Sequence, residues 1–241
     1  MKRATNNQPL TTNNQKMNNP TRVGELSARY IQQDDPTGWF EELYSQAEGE
    51  AGQIPWAKLT INPHLASWIA KNNVEGKGKK ALVVGCGLGD DAEALSDVGF
   101  EVTGFDISPS AIAWCRKRFP NTSVNYVVSD ALKPEAAWKE SFDFILESYT
   151  LQAVPQSVRQ RIMSTIAFYL APGGMLLIIC RGRDLEEDAG TSPPWALTKE
   201  ELSFLEQLKL ERVSFEDYLD SRNPPIRRFR IQYSKDNNSL P

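Results

Sequence analysis

Short apolar runs alternate with helix-compatible segments along most of the chain after residue 80. We interpret five of these runs as buried strands, at residues 81–84, 101–105, 124–128, 142–146 and 175–180. A helix follows the second run, where Ser108 supplies a cap and Pro109 a first-turn proline. A second, amphipathic helix follows Pro155 and continues to about residue 170, where Pro172-Gly173-Gly174 ends it. Buried strands that alternate with helices predict a parallel sheet with right-handed crossovers.

The last third of the chain predicts how this sheet is completed. Thr198-Lys-Glu-Glu201 is a capping box, which predicts a helix to about residue 208. Residues 211–218 and 227–234 are interpreted as two closing strands, with Asn223-Pro224-Pro225-Ile226 as the turn between them. The expected fold class is therefore α/β: a doubly wound, mostly parallel, seven-stranded Rossmann-like sheet with an antiparallel closing strand and an N-terminal helical cap.

The chain divides into four segments by composition. Residues 1–20 are rich in asparagine, glutamine and threonine, which predicts a disordered tail. Residues 21–75 are helical in pattern and rich in aromatic side chains, and Asn62-Pro63 begins a helix there, so this segment is predicted to be the cap. Residues 76–235 form the main domain, and residues 236–241 are a short second tail.

The first predicted strand runs into a turn with three alternate glycines, Gly85, Gly87 and Gly89. Glycine accepts backbone angles that other residues resist, and it lets a ligand lie against the peptide groups. The helix that follows offers free amide groups to an anionic part of the ligand. The second strand ends in Asp106, whose carboxylate can accept the hydrogens of two ribose hydroxyls. This spacing predicts an adenosine-containing ligand.

Composition narrows the classes of partner. The formal net charge is −4, so the chain has no overall attraction for phosphate backbones, and nucleic acid is not an expected partner. The longest apolar run is far short of the approximately 20 residues that cross a bilayer, so no membrane span is expected. Three cysteines, Cys86, Cys115 and Cys180, fit neither a metal site nor a disulfide framework and favour a reducing cytoplasm.

The order of these motifs resembles the class I S-adenosylmethionine-dependent methyltransferases. It comprises the glycine turn, the acidic strand end, Ser129-Asp130-Ala131 after the third strand, a polar end of the fourth strand and a Pro-Gly-Gly turn before the fifth. The resemblance covers roughly residues 81–234. Within the class, Trp39, Ile54-Pro55-Trp56 and Ser192-Pro193-Pro194-Trp195 are similar to the thiopurine and thiol or halide methyltransferase group.

The resemblance implies S-adenosylmethionine as the cofactor and no metal ion. The glycines would approach the methionine part, while Asp106 and Ile107 would hold the ribose and flank the adenine. Contacts with the adenine would come from Asp130 and Ala131, with a capping or turn carboxylate as the alternative for Asp130. Glu147 and Ser148 would reach the methionine amino group. The predicted cofactor-binding residues are therefore Gly85, Gly87, Gly89, Asp106, Ile107, Asp130, Ala131, Glu147 and Ser148.

The acceptor side is less well defined by the sequence. If a general base acts, Glu147 is the first candidate and Tyr149 the second, although Glu147 is also compatible with cofactor binding alone. The irregular segment 181–197 is interpreted as a lid. Trp39, Trp56 and Trp195 are candidate substrate-binding aromatic residues, with ordinary core packing as the alternative. Arg181 is a candidate partner for an anionic acceptor, with an exposed lid arginine as the alternative. The single histidine, His64, is interpreted as a packing or surface residue.

The predicted function is transfer of a methyl group to a small molecule, with a thiol or another soft nucleophile as the acceptor. Oxygen or nitrogen methylation of a natural product is the second enzymatic interpretation. A non-catalytic adenosine-binding module is the alternative from another class. An NAD-dependent oxidoreductase fits less well, because dinucleotide sites place their third glycine one residue later than Gly89. Oligomeric state stays open.

Overall fold

The computed structural model describes residues 19–237, with their side chains from residue 21 onward. Its helices are α1 (Asn19–Gln32), α2 (Trp39–Gln46), α3 (Pro63–Asn72), α4 (Asp90–Asp97), α5 (Pro109–Arg118), α6 (Gln156–Tyr169), α7 (Lys199–Leu202) and α8 (Phe204–Gln207). Its strands are β1 (Lys80–Val84), β2 (Glu101–Asp106), β3 (Asn125–Val128), β4 (Phe142–Ser148), β5 (Leu170–Arg181), β6 (Leu210–Leu219) and β7 (Arg227–Lys235). Short 3-10 turns lie at Ala51–Gln53, Ala136–Trp138 and Leu151–Ala153.

The seven strands form one sheet in the order β3-β2-β1-β4-β5-β7-β6. The strands β1 to β5 pair in parallel, and β7 runs antiparallel to both of its neighbours, β5 and β6. The predicted fold class is confirmed, including the antiparallel closing strand. The chain reverses its direction of winding between β1 and β4, and in open α/β sheets ligands bind at such a point, outside the carboxyl ends of the strands.

Alternate side chains of each central strand serve two cores on opposite faces of the sheet. In β1, Leu82 and Val84 pack against α6 and the segment of α7 and α8, whereas Ala81 and Val83 pack against α3, α4 and α5. Because both faces are covered by helices, the central strands are apolar on both sides, which explains the continuous hydrophobic runs in the sequence.

The N-terminal helices rest on the carboxyl edge of this sheet. Trp39 and Leu43 of α2 share a buried cluster with Leu88, just before α4, and Ala111 of α5. Asn62 caps α3 by accepting a hydrogen bond from His64 N, as the Asn-Pro pair predicts. The cap therefore lies directly above the glycine turn.

Two predicted boundaries differ from the structure. The Pro172-Gly173-Gly174 turn belongs to β5 itself, which starts at Leu170 beside Phe142 and has an irregular register there. The helix predicted from residue 198 to about 208 is divided at Ser203 into α7 and α8, although Thr198 and Glu201 do form the capping box.

Of the predicted tails, residues 1–18 and 238–241 lie outside the described residues, and Asn19 and Pro20 begin α1. The division into four segments stays a prediction. None of the helices within residues 19–237 is both long and apolar enough to span a bilayer.

Candidate active site

The glycine turn between β1 and α4 needs glycine at each of its three positions. Gly85, Gly87 and Gly89 have φ angles of 59°, 54° and 90°, in the region that disfavours other residues. A methyl group at Gly85 would overlap the hydroxyl of Thr150, and one at Gly89 would overlap the hydroxyl of Tyr126. Glycine is therefore needed at these positions for both conformational and steric reasons, and Gly87 and Gly89 are buried while Gly85 is half-buried.

Asp106 joins the end of β2 to this turn. Its Oδ2 accepts a hydrogen bond from Gly87 N at 2.9 Å, and its Oδ1 accepts one from Ser108 N at 3.0 Å. Burial raises the pKa of Asp106 to about 6, although these amide donors act in the opposite direction. A carboxylate has about four acceptor positions, so two remain for further donors.

The loop after β3 lies beside Asp106, because β2 and β3 are neighbours in the sheet. Ser129 N donates to the carbonyl oxygen of Asp106 at 3.0 Å, and Ile107 and Ala131 are half-buried at the same edge. Asp130 accepts a hydrogen bond from Leu132 N at 2.8 Å and lies 3.3 Å from Lys133 Nζ. The structure thus places the residues predicted for the ribose beside those predicted for the adenine. The role of each residue stays a prediction.

An aromatic cluster of the cap covers the glycine turn. The hydroxyl of Tyr44 lies close to Gly87, and a methyl group added at Gly87 would be 3.1 Å from this hydroxyl. Trp56 Nε1 donates to this hydroxyl at 2.8 Å, and Trp56 contacts Trp39 edge to face, with ring centroids 5.9 Å apart. The Trp39 indole is fully buried beneath Phe40, and its Nε1 has no hydrogen-bond partner among the described residues.

Glu41, which no pattern in the sequence indicated, fastens this cap to the sheet domain. Its carboxylate accepts hydrogen bonds from Ser108 Oγ at 2.6 Å, Ser110 N at 3.1 Å and Ser110 Oγ at 2.7 Å, at the start of α5. These donors lower the pKa of Glu41 despite its partial burial. A negative side chain is favourable at a helix N-terminus, so Glu41 holds α2 above the site.

Glu147, the first candidate for a base, lies inside the protein. Its Oε1 accepts hydrogen bonds from Thr150 N at 2.7 Å and Leu151 N at 2.8 Å, while Oε2 has no partner among the described residues. The side chain is fully buried, and burial raises its pKa to about 7. In this structure the carboxyl group therefore braces the turn after β4, and its catalytic or cofactor-binding role stays a prediction.

We expect Glu147→Gln to remove a pH-dependent loss of stability. A carboxyl whose pKa rises from 4.5 in the unfolded chain to about 7 in the folded protein stabilises the fold most when protonated. That contribution, at most about 3 kcal/mol, is lost as the pH rises through this interval. Glutamine keeps an oxygen for both amides and carries no charge.

Urea unfolding of both proteins at about pH 5 and about pH 8 measures this difference. The free energy of unfolding of the variant, relative to that of the wild type, should increase as the pH increases. A difference between the two proteins that is the same at both pH values would contradict a raised pKa.

Ser148 and Tyr149 complete the end of β4. Ser148 Oγ accepts a hydrogen bond from Asn62 Nδ2 at 2.9 Å, and Asn62 N donates to Asp91 at 2.7 Å, so α3, α4 and β4 meet here. Burial raises the pKa of Asp91 to about 6. Tyr149 has a φ angle of 67°, an unusual value for a non-glycine residue. Such strained positions are often found at functional sites.

Comparison with known proteins shows which enzymes this chain resembles. Residues 81–174 match the family described as Methyltransferase domain. The thiopurine S-methyltransferase of Legionella pneumophila subsp. pneumophila is 26% identical over 203 residues, covering 77% of this chain and 90% of that protein. The chain contains a methyltransferase domain and is an S-adenosylmethionine-dependent methyltransferase. The ubiquinone biosynthesis O-methyltransferase of Thiobacillus denitrificans is 27% identical over 197 residues, covering 75% of this methyltransferase and 84% of that relative.

A solved structure shows the same fold over nearly the whole chain. The 1,6-didemethyltoxoflavin-N1-methyltransferase of Burkholderia thailandensis, with bound S-adenosylhomocysteine, superimposes with a TM-score of 0.63 and 18% identity, covering 90% of each chain. The names of these proteins specify sulfur, oxygen and nitrogen methylation in turn. The family therefore establishes the methyl donor of this methyltransferase and leaves its acceptor open.

The residues at the sheet edge fit this cofactor. The free acceptor positions of Asp106 suit two ribose hydroxyls, and the half-buried Gly85, which has no side chain, would let the methionine part approach the turn. The unpartnered Nε1 of Trp39 is a donor for a carboxylate, and the tryptophan rings offer faces to a sulfonium cation. These four features would hold the donor between the cap and the turn.

The predicted lid is fastened at both ends by Gln152, another residue that the sequence did not indicate. Arg181 N donates to Gln152 Oε1 at 2.7 Å, and Trp195 N donates to Gln152 O at 2.7 Å. In the middle of the lid, Ser192 Cβ would lie 3.2 Å from a methyl added at Gly24 of α1. The lid and the cap of this methyltransferase therefore meet above the sheet edge.

His64 lies against the closing strands. Its Nδ1 is 2.8 Å from the Tyr218 hydroxyl, and its carbonyl oxygen accepts from Arg230. Burial, together with Arg228, lowers the pKa of His64 to about 4. A histidine that is neutral at physiological pH and bonded in this way accords with its interpretation as a packing residue.

Proposed function

We propose that this methyltransferase methylates the sulfur atom of a small-molecule thiol. The observation that carries the proposal is that Glu147 and His64, two groups near the end of β4 that could act as a base, are both engaged within the protein. Glu147 is fully buried and bonded to backbone amides, and His64 is bonded to Tyr218. A thiolate attacks without help from a base, whereas an alcohol or an amine usually needs one. The Legionella relative is named for the methylation of sulfur.

In this reaction S-adenosylmethionine supplies a methyl group on a positively charged sulfur, which is a strong electrophile. The thiol ionises first and releases its proton to solvent. The thiolate then forms a carbon–sulfur bond as the bond from the methyl carbon to the sulfonium breaks, and that electron pair leaves with neutral S-adenosylhomocysteine. The protein's contribution is alignment and exclusion of water, and alignment can contribute about 7–11 kcal/mol.

The cap and the lid support a small acceptor rather than a macromolecule. The aromatic cluster lies on the glycine turn, and Ser192 of the lid lies against Gly24 of the cap. A net charge of −4 gives no attraction for nucleic acid. Cys86, Cys115 and Cys180 are free thiols, which supports a reducing, cytoplasmic setting.

A panel of thiols, halides, phenols and amines, assayed for S-adenosylhomocysteine, tests the proposal. We expect thiols to give the highest kcat/KM, with a rate that rises with pH as the thiol ionises. The proposal is wrong if phenols or amines are methylated faster than thiols. Affinity for S-adenosylmethionine without turnover of any acceptor would instead favour a non-catalytic adenosine-binding module.

The second candidate function is oxygen or nitrogen methylation, and one observation favours it. The Glu147 carboxyl, with its pKa raised to about 7, sits at the end of β4 where a base would act. The Thiobacillus relative is named as an O-methyltransferase. If this function holds, Glu147→Gln will lower the turnover of a phenol or an amine far more than that of a thiol, with the affinity for S-adenosylhomocysteine intact.

A further inference from the structure

Three arginines meet at the carboxyl edge of the sheet, where β5 ends beside the turn between β6 and β7. Arg181 ends β5, and its register partner in β7 is Arg228. Arg222, in the turn between β6 and β7, lies 3.2 Å from the same carboxylate, Asp220, that pairs with Arg228 at 2.9 Å. We call Arg181, Arg222 and Arg228 the arginine cluster. Tyr149, which follows β4, lies against it, with the Arg228 guanidinium 5.2 Å from its ring centroid.

The charges of this cluster are not balanced. Asp220 is the one carboxylate that pairs with it among the described residues, and it is shared by Arg222 and Arg228. Arg181 has no carboxylate within 4.0 Å among residues 21–237, although it is half-buried. Burial and the two neighbouring arginines lower the pKa of Arg181. Two positive charges therefore remain without a counter-ion in a partly desolvated place.

Arg228 has a hydrogen-bond donor that the protein does not use. Its side chain is 1% exposed, its Nε donates to Asp220, and its Nη2 has no partner among the described residues. A buried polar group without a partner costs about 1–3 kcal/mol, and more when it is charged. Such groups are few in native proteins, and a water, an ion or a functional role usually accounts for each of them.

We propose that the arginine cluster binds a carboxylate group of the methyl acceptor, so that the substrate is an anionic thiol. The inference rests on the proposed function, because it assumes that the acceptor binds beside the ends of β4 and β5. Guanidinium groups bind carboxylates through paired, charge-assisted hydrogen bonds, which fix orientation as well as affinity. A carboxylate held by Arg181 and Arg228 would orient the thiol relative to Tyr149 and the glycine turn.

The test compares 3-mercaptobenzoate with its neutral amide, 3-mercaptobenzamide, which is similar in shape and in thiol position. We expect kcat/KM to favour the carboxylate by at least about tenfold, or about 1.4 kcal/mol. Arg181→Met should reduce this preference strongly, mainly through a higher KM for the carboxylate, and Arg181→Lys should retain part of it.

Two controls separate recognition from structure. Arg161→Met removes an exposed arginine from α6, remote from the cluster, and should keep the wild-type preference. The Tm of Arg181→Met without ligand should equal or exceed that of the wild type, because Arg181 lacks a carboxylate partner and lies near two like charges. A purely structural arginine would instead lower the Tm and affect both substrates equally.

The outcomes distinguish this inference from the proposed function. Equal kcat/KM values for the acid and the amide would overturn the anion site and leave thiol methylation standing. If neither thiol is methylated, titration calorimetry with the S-adenosylhomocysteine complex decides the inference. Binding of 3-mercaptobenzoate that is stronger than binding of the amide, and that Arg181→Met weakens, supports the anion site. Equal or undetectable binding overturns it.

Discussion

Asp106→Asn is expected to lower the affinity for S-adenosylhomocysteine by at least about 100-fold. Asp106 already holds the amides of Gly87 and Ser108, one on each oxygen, and the ribose hydroxyls would take the remaining positions. Asparagine has one acceptor oxygen, and its amide group would face an N–H donor. Loss of two hydrogen bonds to a charged group, each about 1.5–3 kcal/mol, accounts for this change.

Titration calorimetry measures this affinity, and Asp143→Asn is the matched control. Asp143 also accepts a hydrogen bond from a backbone amide, that of Lys80, at 2.8 Å, but at the opposite, amino edge of the sheet. The control should bind S-adenosylhomocysteine as the wild type does. Retained affinity in a folded Asp106→Asn protein, checked by circular dichroism, would refute the assignment of Asp106 to the ribose.

Gly85→Ala is expected to destabilise the fold by about 2–5 kcal/mol and to abolish cofactor binding. Its φ angle of 59° costs other residues roughly 1–2 kcal/mol. The added methyl would also overlap the Thr150 hydroxyl and lie 3.0 Å from Thr150 Cγ2, and overpacking typically costs about 1–3 kcal/mol. Thr150 has little room to move, because it donates to both Val84 O and Glu147 Oε1.

Alanine substitutions at two other glycines distinguish the conformational cost from the steric cost in urea unfolding experiments. Gly190 also has a positive φ angle, 83°, but open space around it, so Gly190→Ala should show the conformational cost alone. Gly52 has open space and no positive φ angle, so Gly52→Ala should be close to neutral. Equal losses for Gly85→Ala and Gly190→Ala would show that the contact with Thr150 is unimportant.

Most of the fold could be predicted because its signals are local. Each central strand is a continuous apolar run, since helices cover both faces of the sheet. Capping residues also act within one turn of chain, and Asn62, Ser108 and Thr198 all cap the helices that follow them. The boundaries that were wrong depend on tertiary contacts. Leu170 enters β5 because Phe142 pairs with it.

The candidate site also has a part that local sequence patterns predicted and a part that they did not. Gly85, Gly87 and Asp106 belong to two consecutive strand ends, so their spacing in the sequence was enough to predict that they meet. The clamp between Glu41 and Ser108 joins residues 67 positions apart, and no local pattern marks either partner. Gln152 and Asp220 were missed for the same reason, since their partners come from the lid and the closing hairpin.

By itself, the sequence determined the class of fold and the methyl donor, because strand, turn, helix and acidic strand end are set by backbone angles and nearest neighbours. Only the tertiary structure decided the environment of the acceptor. Side chains alternate across a strand, so packing determined that Glu147 is buried while Ser148 reaches Asn62. The arginine cluster likewise exists only because β5 and β7 are neighbours, which places Arg181 beside Arg228.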